Sequence, residues 1–176
     1  MNKKDIEILA RNDVKVSHNP TSNMKLASGI MPYKELKNAG ITVSLGTDGC
    51  ASNNNLDMFE SMKFASLGQK AFYNDQTVMQ SKEAFELATT NGAKALRLNA
   101  GLLRENMLAD LVLIDLKRVE FTPNYNLISN LVYSANGSCV DTVICDGKIL
   151  MENHVINGEE EILKKVDEIS QDLISR

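Results

Sequence analysis

Two short polar stretches carry most of the chemistry this sequence can offer. One is His18-Asn19-Pro20-Thr21-Ser22-Asn23, which follows the β-branched run Val14-Lys15-Val16-Ser17. The other is Gly46-Thr47-Asp48-Gly49, followed by the Ser- and Asn-rich stretch from Cys50 to Asn55; it comes straight after Ile41-Thr42-Val43-Ser44-Leu45. A carboxylate at the end of a buried strand can be held rigidly and pointed at a metal or a water. Flanking glycines let the backbone turn sharply and approach a ligand. Asp48 is therefore the first candidate. The simpler alternative is that it caps the next turn, because Thr-Asp-Gly is a common turn sequence.

Other reactive side chains are sparse. Only two histidines are present, and His18, before a turn, reads most simply as a hydrogen-bonding loop residue. His154 sits in a polar segment and reads as surface. Cys50 shares the Asp48 loop but has no base near it in sequence to generate a thiolate. Cys50, Cys139 and Cys145 are odd in number and lack CxxC spacing, which points to reduced thiols in a cytoplasmic protein. The methionines lie within apolar faces as core filler.

The elements that must position these loops follow from periodicity. Helices are expected over residues 3–12, from Pro32 to Gly40, from Leu56 to Phe72, and from an N-cap at Ser81 through Leu96. With the two strands between them, they give the alternation of a parallel α/β fold, whose active sites gather at strand C-terminal ends. Near Asn99-Ala100-Gly101 the rhythm changes. Strands are expected at Leu111–Ile114, Leu131–Tyr133, Val140–Cys145 and Lys148–Met151, the last two joined by the hairpin signal Asp146-Gly147. A charged helix from Glu159 to Ile174 closes the chain, with Ile162, Val166, Ile169 and Leu173 in one stripe. Two parts result, 1–98 and 99–176.

Bulk properties narrow the partners. The 176 residues suit one compact domain with an appendage, and 43% hydrophobic against 24% charged residues is ordinary globular usage. A net charge of −4, no basic stripe and 5% aromatics argue against nucleic acid. No apolar run approaches the roughly 20 residues that cross a bilayer, and the polar start does not resemble a signal peptide.

Five segments in order then resemble one family. Residues 16–29, from Val16-Ser17-His18-Asn19-Pro20 to Gly29, are similar to the seventh-strand segment of amidohydrolases that deaminate nucleosides. Leu45-Gly46-Thr47-Asp48-Gly49 with Ala51-Ser52-Asn53-Asn54 is similar to their eighth-strand segment, and Ala88–Leu96 to their last barrel helix. Ala109–Asp115 and Val143–Lys148 are similar to strands of their small β-sandwich. Among subgroups, the methylthioadenosine/S-adenosylhomocysteine deaminases are the nearest.

The resemblance implies an α/β architecture: the terminal strand–helix units of a metal-dependent (β/α)8 barrel, strands of a composite β-sandwich and a closing helix. It implies zinc or iron in the complete enzyme and hydrolytic deamination of an adenosine-like nucleoside. Asp48 would be metal ligand and proton-transfer group, with His18, Ser22 and Asn23 around the substrate. The family's His-x-His pair and its other ligand histidines have no counterpart here, and one carboxylate cannot hold a catalytic zinc that takes about three protein ligands. The chain is expected to start before a seventh strand, to be inactive alone, and to self-associate or need a companion chain that supplies barrel strands. A split enzyme and a non-catalytic structural or binding subunit are the alternatives.

Overall fold

The computed structural model describes residues 1–176. The first helix, α1 (Lys3–Arg11), starts in a capping box: the Asp5 N–H donates to Asn2 Oδ1 (3.1 Å) and the Asn2 N–H to Asp5 Oδ2 (2.7 Å). Then come β1 (Val16–His18), α2 (Pro20–Lys25), α3 (Tyr33–Asn38), β2 (Val43–Leu45), α4 (Cys50–Asn53) and α5 (Met58–Tyr73). β1 and β2 pair in parallel, Val16 beside Val43 and His18 beside Leu45. Leu36, Val43, Leu45, Met62 and Ala65 bury themselves between this pair and the helices.

The β1 bonds of β2 are made through Thr42, whose carbonyl accepts from Val16 N (3.0 Å), and Gly46, whose N–H donates to His18 O (2.9 Å). Val43 and Leu45 therefore turn their peptide groups to the opposite edge, where no strand lies. There the Asn91 amide donates to Val43 O (3.0 Å).

Where one helix was expected from Ser81 to Leu96, there are two, α6 (Ser81–Ala88) and α7 (Thr90–Leu96). The break falls at the β-branched pair Thr89-Thr90, and Thr89 Oγ1 turns back to donate to Phe85 O (2.8 Å). Ser81 is not the N-cap. Gln80 takes that place and its N–H donates to Glu83 Oε2 (3.1 Å).

In the second part, β3 (Leu111–Ile114), β4 (Val140–Cys145) and β5 (Lys148–Met151) form an antiparallel sheet in chain order. Asp146 (φ 49°) and Gly147 (φ 75°) both take the left-handed backbone that a tight two-residue hairpin requires. The strand expected at Leu131–Tyr133 is instead the end of a helix, α8 (Leu127–Tyr133). Three apolar residues fit either period. The difference is made by Asn126, whose side chain caps Ser129 N (3.0 Å), and by burial of Leu131 and Val132 against α5 and α6. Val132, well beyond residue 98, thus lies in the core of the first part. Apolar side chains of the small sheet remain half exposed, among them Leu113, Ile149 and Leu150. The final helix, α9 (Glu159–Ile174), has no buried residue.

Ser66 joins the two parts. Fully buried on α5, its hydroxyl lies 2.6 Å from Met79 O and 2.8 Å from the Tyr133 hydroxyl. Met79 is itself buried in a left-handed conformation (φ 47°) that residues bearing a Cβ seldom adopt. Ser66→Ala takes one of two donors from the Met79 carbonyl, which keeps Lys70 Nζ (3.0 Å), and the buried partner from the Tyr133 hydroxyl; it is expected to cost about 1 kcal/mol of unfolding free energy in a denaturant titration.

Candidate active site

The site is built where the two parallel strands end. Gly46 follows β2 at a place where a side chain would collide with the Asn19 amide oxygen and crowd Ser17 Oγ at 3.1 Å. Glycine here lets the loop after β1 lie directly on the loop after β2. The chain then reaches Asp48 in the left-handed region (φ 63°), which aspartate tolerates better than most residues. That backbone turn aims the carboxylate back across the strand ends.

Both carboxylate oxygens are held. Ser22 Oγ donates to Oδ2 (2.6 Å) from α2, and the Gly49 N–H donates to Oδ1 (2.7 Å). Ser22 is 3% exposed, so its hydroxyl is fixed by packing, and Pro20 starts its helix at the position where a missing N–H costs nothing. The Ser22 hydrogen bond first, then those of Gly49 and Ser52, hold the Asp48 carboxyl below its ordinary range. At neutral pH it is an exposed anion with fixed orientation and lone pairs to spare, suited to ligating a cation or orienting a water. The turn-capping alternative is half realised, since Oδ1 does take the next N–H, but α4 has Gly49 as its N-cap and no side-chain cap.

Two clamps emerge that the sequence did not reveal. The Asn53 amide, on α4 and 7% exposed, donates to Thr47 O (2.8 Å) and braces the backbone before Asp48. Lys25 Nζ reaches across from α2 to Ala51 O (3.4 Å) and Asn54 Oδ1. Lys25 and its partners are 26 and 29 positions apart, a separation that no local pattern reports.

The remaining expected site residues are placed differently. Ser22 meets Asp48, so one role of its hydroxyl is already filled within the protein. His18 is not a loop residue: it ends β1, is 4% exposed, and lines a narrow cleft with Asn23, Met24, Ile30 and, from α5, Phe64 and Gln69. Asn23 thus joins His18 there, while Asp48 is not among the residues lining that cleft. Burial drives the His18 imidazole down from 6.5 to about 4, and its Nδ1 has no partner. His154 is exposed, as the sequence suggested, and so is Cys50.

No group of three or more His, Cys, Asp or Glu side chains in this chain is arranged to hold a metal ion. A single carboxylate does not satisfy zinc or iron, so the residues present do not by themselves fit the metal that the family resemblance implies.

Comparison with known proteins decides the lineage. The amidohydrolase family pattern matches residues 1–150. The chain belongs to the amidohydrolase family. Among its relatives, a 5'-deoxyadenosine deaminase of Methanospirillum hungatei is 51% identical over the whole of this chain and 39% of its own length. A 5-methylthioadenosine/S-adenosylhomocysteine deaminase of Thermococcus kodakarensis is 56% identical over 86% of this chain and 36% of its own. Among solved amidohydrolase structures, a zinc-bound adenosine deaminase from Xanthomonas campestris superposes with a TM-score of 0.92 at 35% identity, covering 99% of this chain and 40% of the other. The chain therefore spans about two fifths of these relatives, corresponding to their C-terminal portion. The parallel pair and its helices are a segment of the family's barrel.

Two measurements check this geometry. Ser22→Ala removes the largest influence on Asp48, so its carboxyl pKa, followed by carbon-13 NMR, is expected to rise toward 3.8. His18 gives a pH dependence of known sign. Between pH 6.5 and about 4 the unfolded chain binds a proton that folded His18 rejects. Stability should rise with pH across that window and be lost on acidification, by up to about 3 kcal/mol. The slope of unfolding free energy against pH should flatten in His18→Phe.

Proposed function

We propose that this chain supplies the last two strand–helix units and the Asp48 carboxylate of a hydrolytic deaminase for adenosine-like nucleosides. Substrates of the methylthioadenosine, S-adenosylhomocysteine or 5'-deoxyadenosine type are the ones its relatives' names support. The observation that carries this reading is the pre-set Asp48, exposed at the strand ends, ionised, and tied down through both oxygens. A carboxylate whose orientation is fixed before substrate arrives loses no free energy to reorganisation when it acts.

In that complete site Asp48 would be one ligand of a zinc or iron ion and would hold a proton of the water, the other ligands coming from outside this chain and the metal supplying the acidity that activates that water. Zinc in the Xanthomonas campestris adenosine deaminase supports this choice of metal. Ser22 positions Asp48, and Asn23 from α2 and His18 from the end of β1 form the flank of the substrate pocket. Barrel strands contributed by other polypeptide would cover the open edge beside Val43 and Leu45.

The test is reconstitution. The chain alone, with zinc and methylthioadenosine, is expected to release no ammonia. Mixed with the N-terminal three fifths of the Methanospirillum hungatei relative, it should gain zinc-dependent ammonia release that Asp48→Ala abolishes. Stable binding of the two pieces with no activity on any adenosine analogue would favour a structural subunit instead.

A further inference from the structure

The final helix is unaccounted for by the site or by the core. It follows Gly158, whose left-handed backbone (φ 80°) lets the chain turn away, and it lies within the stretch that relatives share over the whole chain. None of its residues is buried. Ile162, Val166, Ile169 and Leu173 are 58%, 56%, 61% and 70% exposed. A helix of 16 residues gains little from its own hydrogen bonds in water and ordinarily relies on packing of its apolar face.

The four residues are spaced four, three and four apart, the repeat that seats one helix against another in a left-handed pair. Their spacing reads the same from either end, so two copies can lie head to tail with Val166 opposite Ile169 and Ile162 opposite Leu173. The charges decide between orientations. Lys165 and Asp172 each directly precede a stripe residue, Val166 and Leu173, and so flank the seam on the same side. Head to tail, Lys165 of one copy faces Asp172 of the other, twice by symmetry. Side by side in the same direction, Lys165 faces the neutral Ser170. That arrangement also brings the acidic first turns, Glu159-Glu160-Glu161, together. Asp172 already takes Arg176 from just past the helix end (2.7 Å), but an exposed pair of that kind holds it weakly.

We propose that α9 is a self-association element that pairs head to tail with α9 of a second copy of this chain, its apolar stripe as the seam and Lys165–Asp172 pairs along the flank. Such a contact is isologous and closes on itself, giving a dimer and not a filament. It is separate from the strand edges of the barrel segment.

Cross-linking in the full chain tests both partner and direction. Exposed Cys50 and Cys145 are first replaced by Ser, leaving buried Cys139. Chains carrying Ile162→Cys are mixed with chains carrying Leu173→Cys and oxidised. The mixture should form disulfide-linked dimers at least about tenfold faster than either variant alone. Equal cross-linking by the single variants would mean a parallel pair, and no cross-linking in any combination would mean that α9 meets a different surface; either result overturns the proposal. Sedimentation reads the charges. Lys165→Glu should weaken the dimer about threefold to tenfold, and adding Asp172→Lys in the same chain should restore it. Failure to restore would also overturn the assignment, and association through other surfaces would not respond to these two residues.

Discussion

The parallel pairing of β1 with β2 fixes the distance over which everything else at the site works. Because His18 stands beside Leu45, the loops that follow leave the sheet side by side, and Ser22 comes within 2.6 Å of the Asp48 carboxylate. Asn19 can lie against the other loop only because residue 46 has no side chain. Slip the register by one residue and every strand side chain would exchange its facing, taking Leu45 out of the core and Ser22 away from its partner. The hydrogen bond to Asp48 is thus a consequence of strand register.

The same pairing leaves work undone. A two-stranded sheet satisfies one edge of each strand, so Val43 and Leu45 present peptide groups to the far side of β2, where Asn91 takes only the Val43 carbonyl. The small antiparallel sheet repeats the theme, with Leu113, Ile149 and Leu150 half exposed. These surfaces agree with a chain that spans about two fifths of its relatives. What the chain does complete is its helical core, where Ser66 and Val132 bind α5 and α8 into one packed unit.

Much of this was legible from residue order. Local signals with a mechanism were reliable: Gly40 and Pro32 around α3, Asp146-Gly147 at the hairpin, the alternation of β4, and Asp48 after a buried strand. Apolar runs too short to show a period were not. Leu131-Val132-Tyr133 became helix because Asn126 caps it and α5 and α6 bury it, and the second fact is tertiary. The break at Thr89 likewise depends on a side-chain hydroxyl choosing a backbone carbonyl over solvent.

Residue type and short-range spacing set the strand–helix alternation and the family, and they put the Asp48 carboxylate straight after a buried strand. Tertiary contacts alone bring Ser22 to Asp48, brace its loop with Lys25 and Asn53, and turn His18 toward α5 in a narrow cleft. Those outcomes depend on which residues distant in sequence the strand register brings together, and on which side of a strand excludes water. Neither is encoded in any local stretch of the chain.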